Sequence, residues 1–249
     1  MSQFDIVIPV GHNDKDIIKE QIEYTKKNVI GYRNIYLISY DAYLSIDGCI
    51  TINENIFPFN IDTVIRYHGK LIRNGWYLQQ LLKLYAGNVI PNILDKYLVI
   101  DSDTFFLKPT TFIEDDKCLY NFGTEYHMPY FIHMAKLDED FVKIDKNMSG
   151  ICHHMMFETK YVNEIISKIN KSHYDFFYNV FLEKVADNVR TDNIFSGASE
   201  YEIYFNYMLK NHPTEIKIRG LNWKNSGNIK NINNEEYDYV SYHWHYSNK

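Results

Sequence analysis

The chain has 249 residues, 45% hydrophobic and 23% charged, with a formal net charge of −6 at pH 7. That length suits one α/β domain able to bury its own core, while an acidic balance with no dense Lys/Arg cluster excludes a nucleic-acid groove. The three cysteines, Cys49, Cys118 and Cys152, are far apart and form no C-x-x-C pair, which excludes a disulfide framework and a thiolate zinc site.

The opening residues run directly into an apolar strand, leaving no room for a signal peptide, and no stretch of about 18 apolar residues follows. A cytoplasmic chain with no transmembrane segment is expected. Phe4–Val10 is apolar and β-branched, the pattern of a buried parallel strand. Gly11-His12-Asn13-Asp14 is turn chemistry, and 14–29 reads as a helix. Strands are expected over 34–40 and, more weakly, Cys49–Asn53, and 57–75 reads as mostly irregular. Leu78, Leu81, Leu82 and Tyr85 recur at i, i+3, i+4 and i+7, predicting an amphipathic helix over 76–86 that Gly87 stops. Further strands are expected over 97–100, ending on Asp101, over 117–122 and over 239–245. Val162, Ile165, Ile166 and Ile169 carry helical spacing, as do Tyr201, Tyr204, Phe205 and Met208. Strands alternating with helices predict a mainly parallel sheet covered on both faces.

Open α/β sheets bind ligands beyond the C-terminal ends of their strands, where this chain carries Asp101-Ser102-Asp103. Alternate residues of an extended segment point the same way, so both carboxylates are expected to face one divalent cation. Such an ion takes oxygen ligands and keeps places for phosphates and water. It neutralises a departing diphosphate as a Lewis acid. Aspartate pairs also occur in solvated turns; the apolar strand before this one and Thr104-Phe105-Phe106-Leu107-Lys108-Pro109 after it set it apart.

Arg66, Lys70 and Arg73 precede the 76–86 helix; Arg73 is a candidate for bidentate contact with a diphosphate, or part of an exposed basic stretch. Adjacent His153 and His154 point to opposite faces if extended, so at most one faces a site. Ser199-x-x-Glu202 matches a capping box, which gives Glu202 a structural task. Glu200 has none, and it falls in a first helical turn where the dipole favours an ionised carboxylate.

The order of elements and the stretch 97–109 resemble the D-x-D region of GT-A glycosyltransferases. Arg73-Asn74-Gly75-Trp76-Tyr77-Leu78-Gln79-Gln80 is similar to the helix preceding it in that superfamily. Asn147-Met148-Ser149-Gly150-Ile151-Cys152-His153-His154 is similar to its glycine-containing acceptor loop. Ser199-Glu200-Tyr201-Glu202-Ile203-Tyr204 is similar to the acidic segment that supplies the base in inverting members, with Ser-Glu in place of Glu-Asp. Tyr242-His243-Trp244-His245 is similar to the end that supplies a metal-binding histidine, with two histidines for one role.

The resemblance spans nearly the whole chain. It implies a GT-A-type, Rossmann-like α/β fold, a mainly parallel central sheet flanked by helices, in a single domain 1–249. Residues 1–108 would form the nucleotide-sugar half and 109–249 the acceptor-side half. It implies a metal-dependent glycosyltransferase moving a sugar from a nucleotide-diphosphate sugar, UDP-sugar first among them, to a carbohydrate or other hydroxyl acceptor with inversion. Pro9, Val10, Gly11 and Asp41 would line the base pocket, with Arg73, Asp101 and Ser102 completing the donor site. Asp101, Asp103 and either His243 or His245 would hold Mn²⁺ or Mg²⁺, imidazole favouring manganese. Glu200 would be the catalytic base, with Glu202 next, and Gly150, His153 and His154 would face the acceptor.

Three other readings fit less well. A haloacid-dehalogenase-type phosphatase wants Thr or Val two positions after its second aspartate, where this chain has Phe105. A sugar-nucleotidyltransferase needs a Gly-rich, basic first loop, which Gly11-His12-Asn13-Asp14 is not. A catalytically inactive carbohydrate- or nucleotide-sugar-binding protein on the same scaffold is the third alternative, and retention of both aspartates, the acidic pair and the C-terminal histidines argues against it.

Overall fold

In a computed structural model the chain is described over residues 3–70, 73–170, 176–192, 196–227 and 236–242, with the backbone alone at 186–192. Elements follow in chain order: β1 (Phe4–Val10), α1 (Ile18–Asn28), β2 (Val29–Ile30), β3 (Tyr32–Ser39), β4 (Cys49–Asn53), α2 (Ile61–His68) and α3 (Asn74–Val89). Then come β5 (Lys96–Ile100), β6 (Thr104–Phe106), β7 (Thr110–Thr111), β8 (Ile113–Glu114), β9 (Lys117–Tyr120) and α4 (Met128–Leu137). The remainder is β10 (His154–Glu158), α5 (Thr159–Ile169), α6 (Phe177–Asp192), α7 (Glu200–Asn211), β11 (Ile216–Ile218), β12 (Trp223–Ser226) and β13 (Tyr239–Tyr242).

The central sheet has five strands in the order β10-β5-β1-β3-β4. β1, β3, β4 and β5 run parallel, and β10 lies antiparallel on the outer side of β5. All seven residues of β1 are buried, as a continuous apolar run requires of a strand covered on both faces. The fold is thus mixed α/β, a mainly parallel sheet flanked, among the described residues, by seven helices. Among those residues no helix is long and apolar enough to cross a membrane.

Two features hold this frame together. Buried Asp5, near the start of β1, accepts two hydrogen bonds from Arg33 and the backbone N–H groups of Asn34 and Leu94. β13 pairs antiparallel with β6, the strand that directly follows the Asp101–Asp103 segment, so a C-terminal strand is drawn beside that segment.

Several expectations need correction. Residues 57–75 contain α2, whose first turn is closed by Asn60 and Thr63: Thr63 N–H reaches Asn60 Oδ1 at 3.1 Å, and Asn60 N–H reaches Thr63 Oγ1 at 3.3 Å. Gly87 does not stop α3, which continues to Val89. A Cβ at Gly87 would run into Thr159 and Tyr97, so the glycine makes room for α5 and β5 against the helix. The helix expected over 14–29 starts at Ile18, after a 3₁₀ turn at His12–Asp14. The last strand is described over Tyr239–Tyr242, and the remainder of 239–245 lies outside the described residues.

Candidate active site

Because β1, β3 and β5 are parallel, Gly11, Tyr40 and Asp101, the residues just past them, share one edge of the sheet. At the ends of β1 and β3, His12 stacks on Tyr40 with ring centroids 3.6 Å apart. Lys15 lies 5.0 Å from the centre of the same Tyr40 ring and reaches Asp41 at 3.2 Å. Pro9 O accepts from Gln79 Nε2 at 3.4 Å, Val10 is buried, and Gly11 N–H donates to Asp14 Oδ2 at 2.7 Å. Arg73, the residue before α3, is exposed, its guanidinium 5.5 Å from the Trp76 ring centre.

The Asp101–Asp103 segment is a turn rather than an extended strand, closed by Thr104 N–H on Asp101 O at 3.0 Å. Its two carboxylates therefore meet different surroundings, which corrects the expectation that both simply point one way. Asp101 Oδ1 accepts from Lys83 Nζ at 2.5 Å and from the Tyr201 hydroxyl at 2.8 Å, and Oδ2 lies 3.4 Å from His153 Nδ1. Burial pushes the Asp101 carboxyl up, but the Lys83 ammonium and the His153 ring outweigh it and hold the group well below the usual carboxylate range. Asp103 Oδ1 accepts from Ser241 Oγ of β13 at 3.1 Å. Burial, then the charge of Asp101, push the Asp103 carboxyl up to about 7, and Asp14 adds to the effect. Ser102 between them is buried.

His153 reaches this centre from the residue before β10. Its φ is +63°, the left-handed region that a non-glycine residue enters at a cost and that tends to mark functional positions. Its carbonyl accepts from Asp101 N–H at 2.9 Å, and its ring meets Trp223 edge-on at 5.2 Å. Burial works to lower the His153 pKa, but Asp101 and Asp103 outweigh it and raise it. His154 points the other way, into the core among Phe106, Phe112 and Tyr239, which removes it from the acceptor side.

Glu200 and Glu202 both begin α7, and both are buried. Glu200 Oε1 accepts from Lys83 Nζ at 2.8 Å; burial raises its pKa, with Lys83 pulling against that. Ser199 does cap α7, its Oγ accepting from Glu202 N–H at 3.2 Å. The Glu202 carboxylate does not complete the box; it accepts from Ser149 Oγ at 2.5 Å and from Asn206 Nδ2 at 2.7 Å. Gly150 lies against α7 where a Cβ would sit 2.6 Å from Tyr201 O.

Asp101, His153 and Glu200 are thus gathered around Lys83 with Asp103 beside Asp101, while Glu202 and Gly150 form a separate contact at the same end of α7. Pro9, Val10, Gly11 and Asp41 share the sheet edge, and His243 and His245 lie outside the described residues. Among the described residues, no three His, Cys, Asp or Glu side chains group so as to hold a metal ion. Residues not anticipated are Asp14, Tyr201, Ser241 and above all Lys83. The signal for Lys83 was its setting: α3 is buried almost all round, and a lysine inside such a helix needs an anion.

A sequence-family profile matches residues 6–226. The chain belongs to DUF6492, a family of unknown function. No curated protein matches this DUF6492 member. Among solved structures it is similar to the apo crystal structure of mouse xyloside xylosyltransferase 1, at 11% identity and a TM-score of 0.46, over 98% of this chain and 99% of that one.

Proposed function

We propose that this DUF6492 chain is a glycosyltransferase that moves a sugar from a nucleotide-diphosphate sugar to an acceptor hydroxyl at the Asp101–Asp103 turn. The observation that carries this reading is the crowding of two half-buried carboxylates at the C-terminal edge of parallel strands, the usual ligand edge of such sheets. Burial and the Asp101 charge push Asp103 up to about 7, so a cation beside it would favour its ionised form, and oxygen donors of this kind fit a divalent cation. Asp103 and one of His243 and His245 are the proposed ligands of Mn²⁺ or Mg²⁺, with Asp101 beside them toward the donor's ribose. When bound, the ion would supply Lewis-acid stabilisation to the leaving diphosphate.

On the donor side, the stacked His12 and Tyr40, with Asp41 and Pro9-Val10-Gly11, suit a nucleobase, and Arg73 suits a phosphate oxygen. His153 and the Gly150 loop are the proposed acceptor side. An inverting transfer needs a carboxylate that takes the acceptor's proton, and Glu200 and Glu202 are the acids nearest that role by sequence. UDP-sugars come first in the test: hydrolysis and transfer with a panel of nucleotide sugars and Mn²⁺, with the product's anomeric configuration read by NMR. Inverted product supports a base; retained product removes the need for one. Donor binding without turnover would leave a nucleotide-sugar-binding protein instead.

A further inference from the structure

Lys83 projects from α3 between β5 and α7, its side chain only 5% exposed. An ammonium has three N–H donors. Here they face Asp101 Oδ1 at 2.5 Å, Glu200 Oε1 at 2.8 Å and the Tyr201 ring, whose centre is 4.4 Å away. The Tyr201 hydroxyl returns to the same Asp101 oxygen at 2.8 Å, and His153 Nδ1 stands 3.4 Å from the other. Both oxygens of Asp101 therefore already face protein donors. A divalent cation coordinated there would share those oxygens with the protein donors and would meet the Lys83 charge at short range in a poorly solvated place.

Glu200 is locked in the same way. It is 3% exposed, its oxygen is turned inward to Lys83, and its backbone N–H is fixed by Gln80 Oε1 at 3.2 Å. Gln80 and Lys83, three residues apart, share one face of α3, so a single helix face orients both the start of α7 and the end of β5. A general base must come within hydrogen-bond reach of the hydroxyl it deprotonates, and a carboxylate aimed at an internal ammonium is turned from that task.

We propose that Lys83 is the positioning residue of this site, an internal counter-ion that ties Asp101 and Glu200 into one buried cluster and leaves Asp103 to meet the cation of a nucleotide-diphosphate donor. On this assignment Glu200 is a positioning residue and not the base. The cation clause rests on the function proposed above; the cluster does not.

Two measurements on the full chain separate these parts. The first is a double-variant cycle in thermal stability. Lys83→Met removes the ammonium that Glu200 and Asp101 share and lowers the melting temperature by ~10 °C. Adding Glu200→Gln recovers part of that loss, because the two sites are coupled. Additive effects overturn the cluster. If Lys83→Met does not fold, the triple variant Lys83→Met/Asp101→Asn/Glu200→Gln, which removes all three charges, decides: it folds if the loss came from the carboxylates deprived of Lys83, and its failure overturns the cluster.

The second measurement is Mn²⁺ binding by electron paramagnetic resonance without donor. Asp101→Asn is expected to bind within about threefold of the wild type, whereas Asp103→Asn loses at least about tenfold. Equal losses overturn the assignment to Asp103. A wild-type chain that binds no Mn²⁺ overturns the cation clause and the metal-dependent function together, while the stability cycle still decides the cluster.

Discussion

Arg33 closes on Asp5 through two hydrogen bonds, 3.0 Å from Nε to Oδ1 and 2.6 Å from Nη2 to Oδ2. The pair lies at the opposite end of the parallel strands from Asp101, and Asp5 also satisfies Asn34 N–H at 3.1 Å and Leu94 N–H at 2.8 Å. Asp5→Ala strands those two backbone donors, at about 1–3 kcal/mol each. Urea unfolding should register the loss while Mn²⁺ binding stays unchanged. A loss under about 1 kcal/mol would show that the sheet does not depend on this anchor.

Gly150→Ala places a methyl group 2.6 Å from Tyr201 O and 2.7 Å from Phe205 Cβ, against helix backbone that cannot yield cheaply. The loop must lift from α7, drawing Ser149 from Glu202. Overpacking of this kind costs about 1–3 kcal/mol. The variant should melt lower and lose protection of the loop amides in hydrogen exchange; unchanged exchange would refute the tight contact.

Asp103 connects the centre to pH. Its carboxyl stands near 7 because of burial and the adjacent Asp101 charge, and a cation binds only the ionised form. Mn²⁺ affinity should therefore fall about tenfold per pH unit below that value and level off above it. Titration between about pH 5.5 and 8 tests this, and an affinity flat across the range would remove Asp103 from the cation site.

Two buried histidines give stability its own pH dependence. Burial lowers His133 to about 4 and His154 to about 3, against 6.5 for a free imidazole. Both are neutral in the folded chain and accept protons on unfolding. Between pH 6.5 and about 4 the unfolded chain thus binds more protons, and stability falls as pH falls, on the order of 1 kcal/mol per pH unit for each. Above pH 6.5 neither contributes. His154→Phe, set among Phe106, Phe112 and Tyr239, should flatten the slope measured by denaturation; an unchanged slope would exclude His154 as a source.

Much of the frame was legible from residue patterns. β1 and β5 are continuous apolar runs, and β4 was placed from Cys49 to Asn53 because a short β-branched stretch has few other uses. α2 was missed because its helical signal is only eight residues long and its cap pairs Asn60 with Thr63 rather than ending in Glu or Gln. Gly87 misled because local propensity cannot register that Thr159, 72 positions on, fills the space beside it. The same limit hid Lys83. A lysine in an amphipathic helix normally faces water, and only the joining of α7 to the end of β5 encloses this one.

The reversed direction of β10 decides which parts of the chain can change length. Its first residue, His154, pairs with Ile100 beside the acidic turn, and its last, Glu158, pairs with Lys96 at the far rim. Parallel strands deliver to the ligand edge whatever follows them; β10 delivers what precedes it. An insertion near Asn147 is therefore transmitted straight to His153, whereas one at the junction of β10 and α5 emerges beside Asp95, where Thr159 N–H is bonded at 2.9 Å. Within DUF6492, drift in loop length before β10 is expected to alter what the site recognises, whereas the direct junction of β10 and α5, bonded to Asp95 and packed on Gly87, is expected to keep its length.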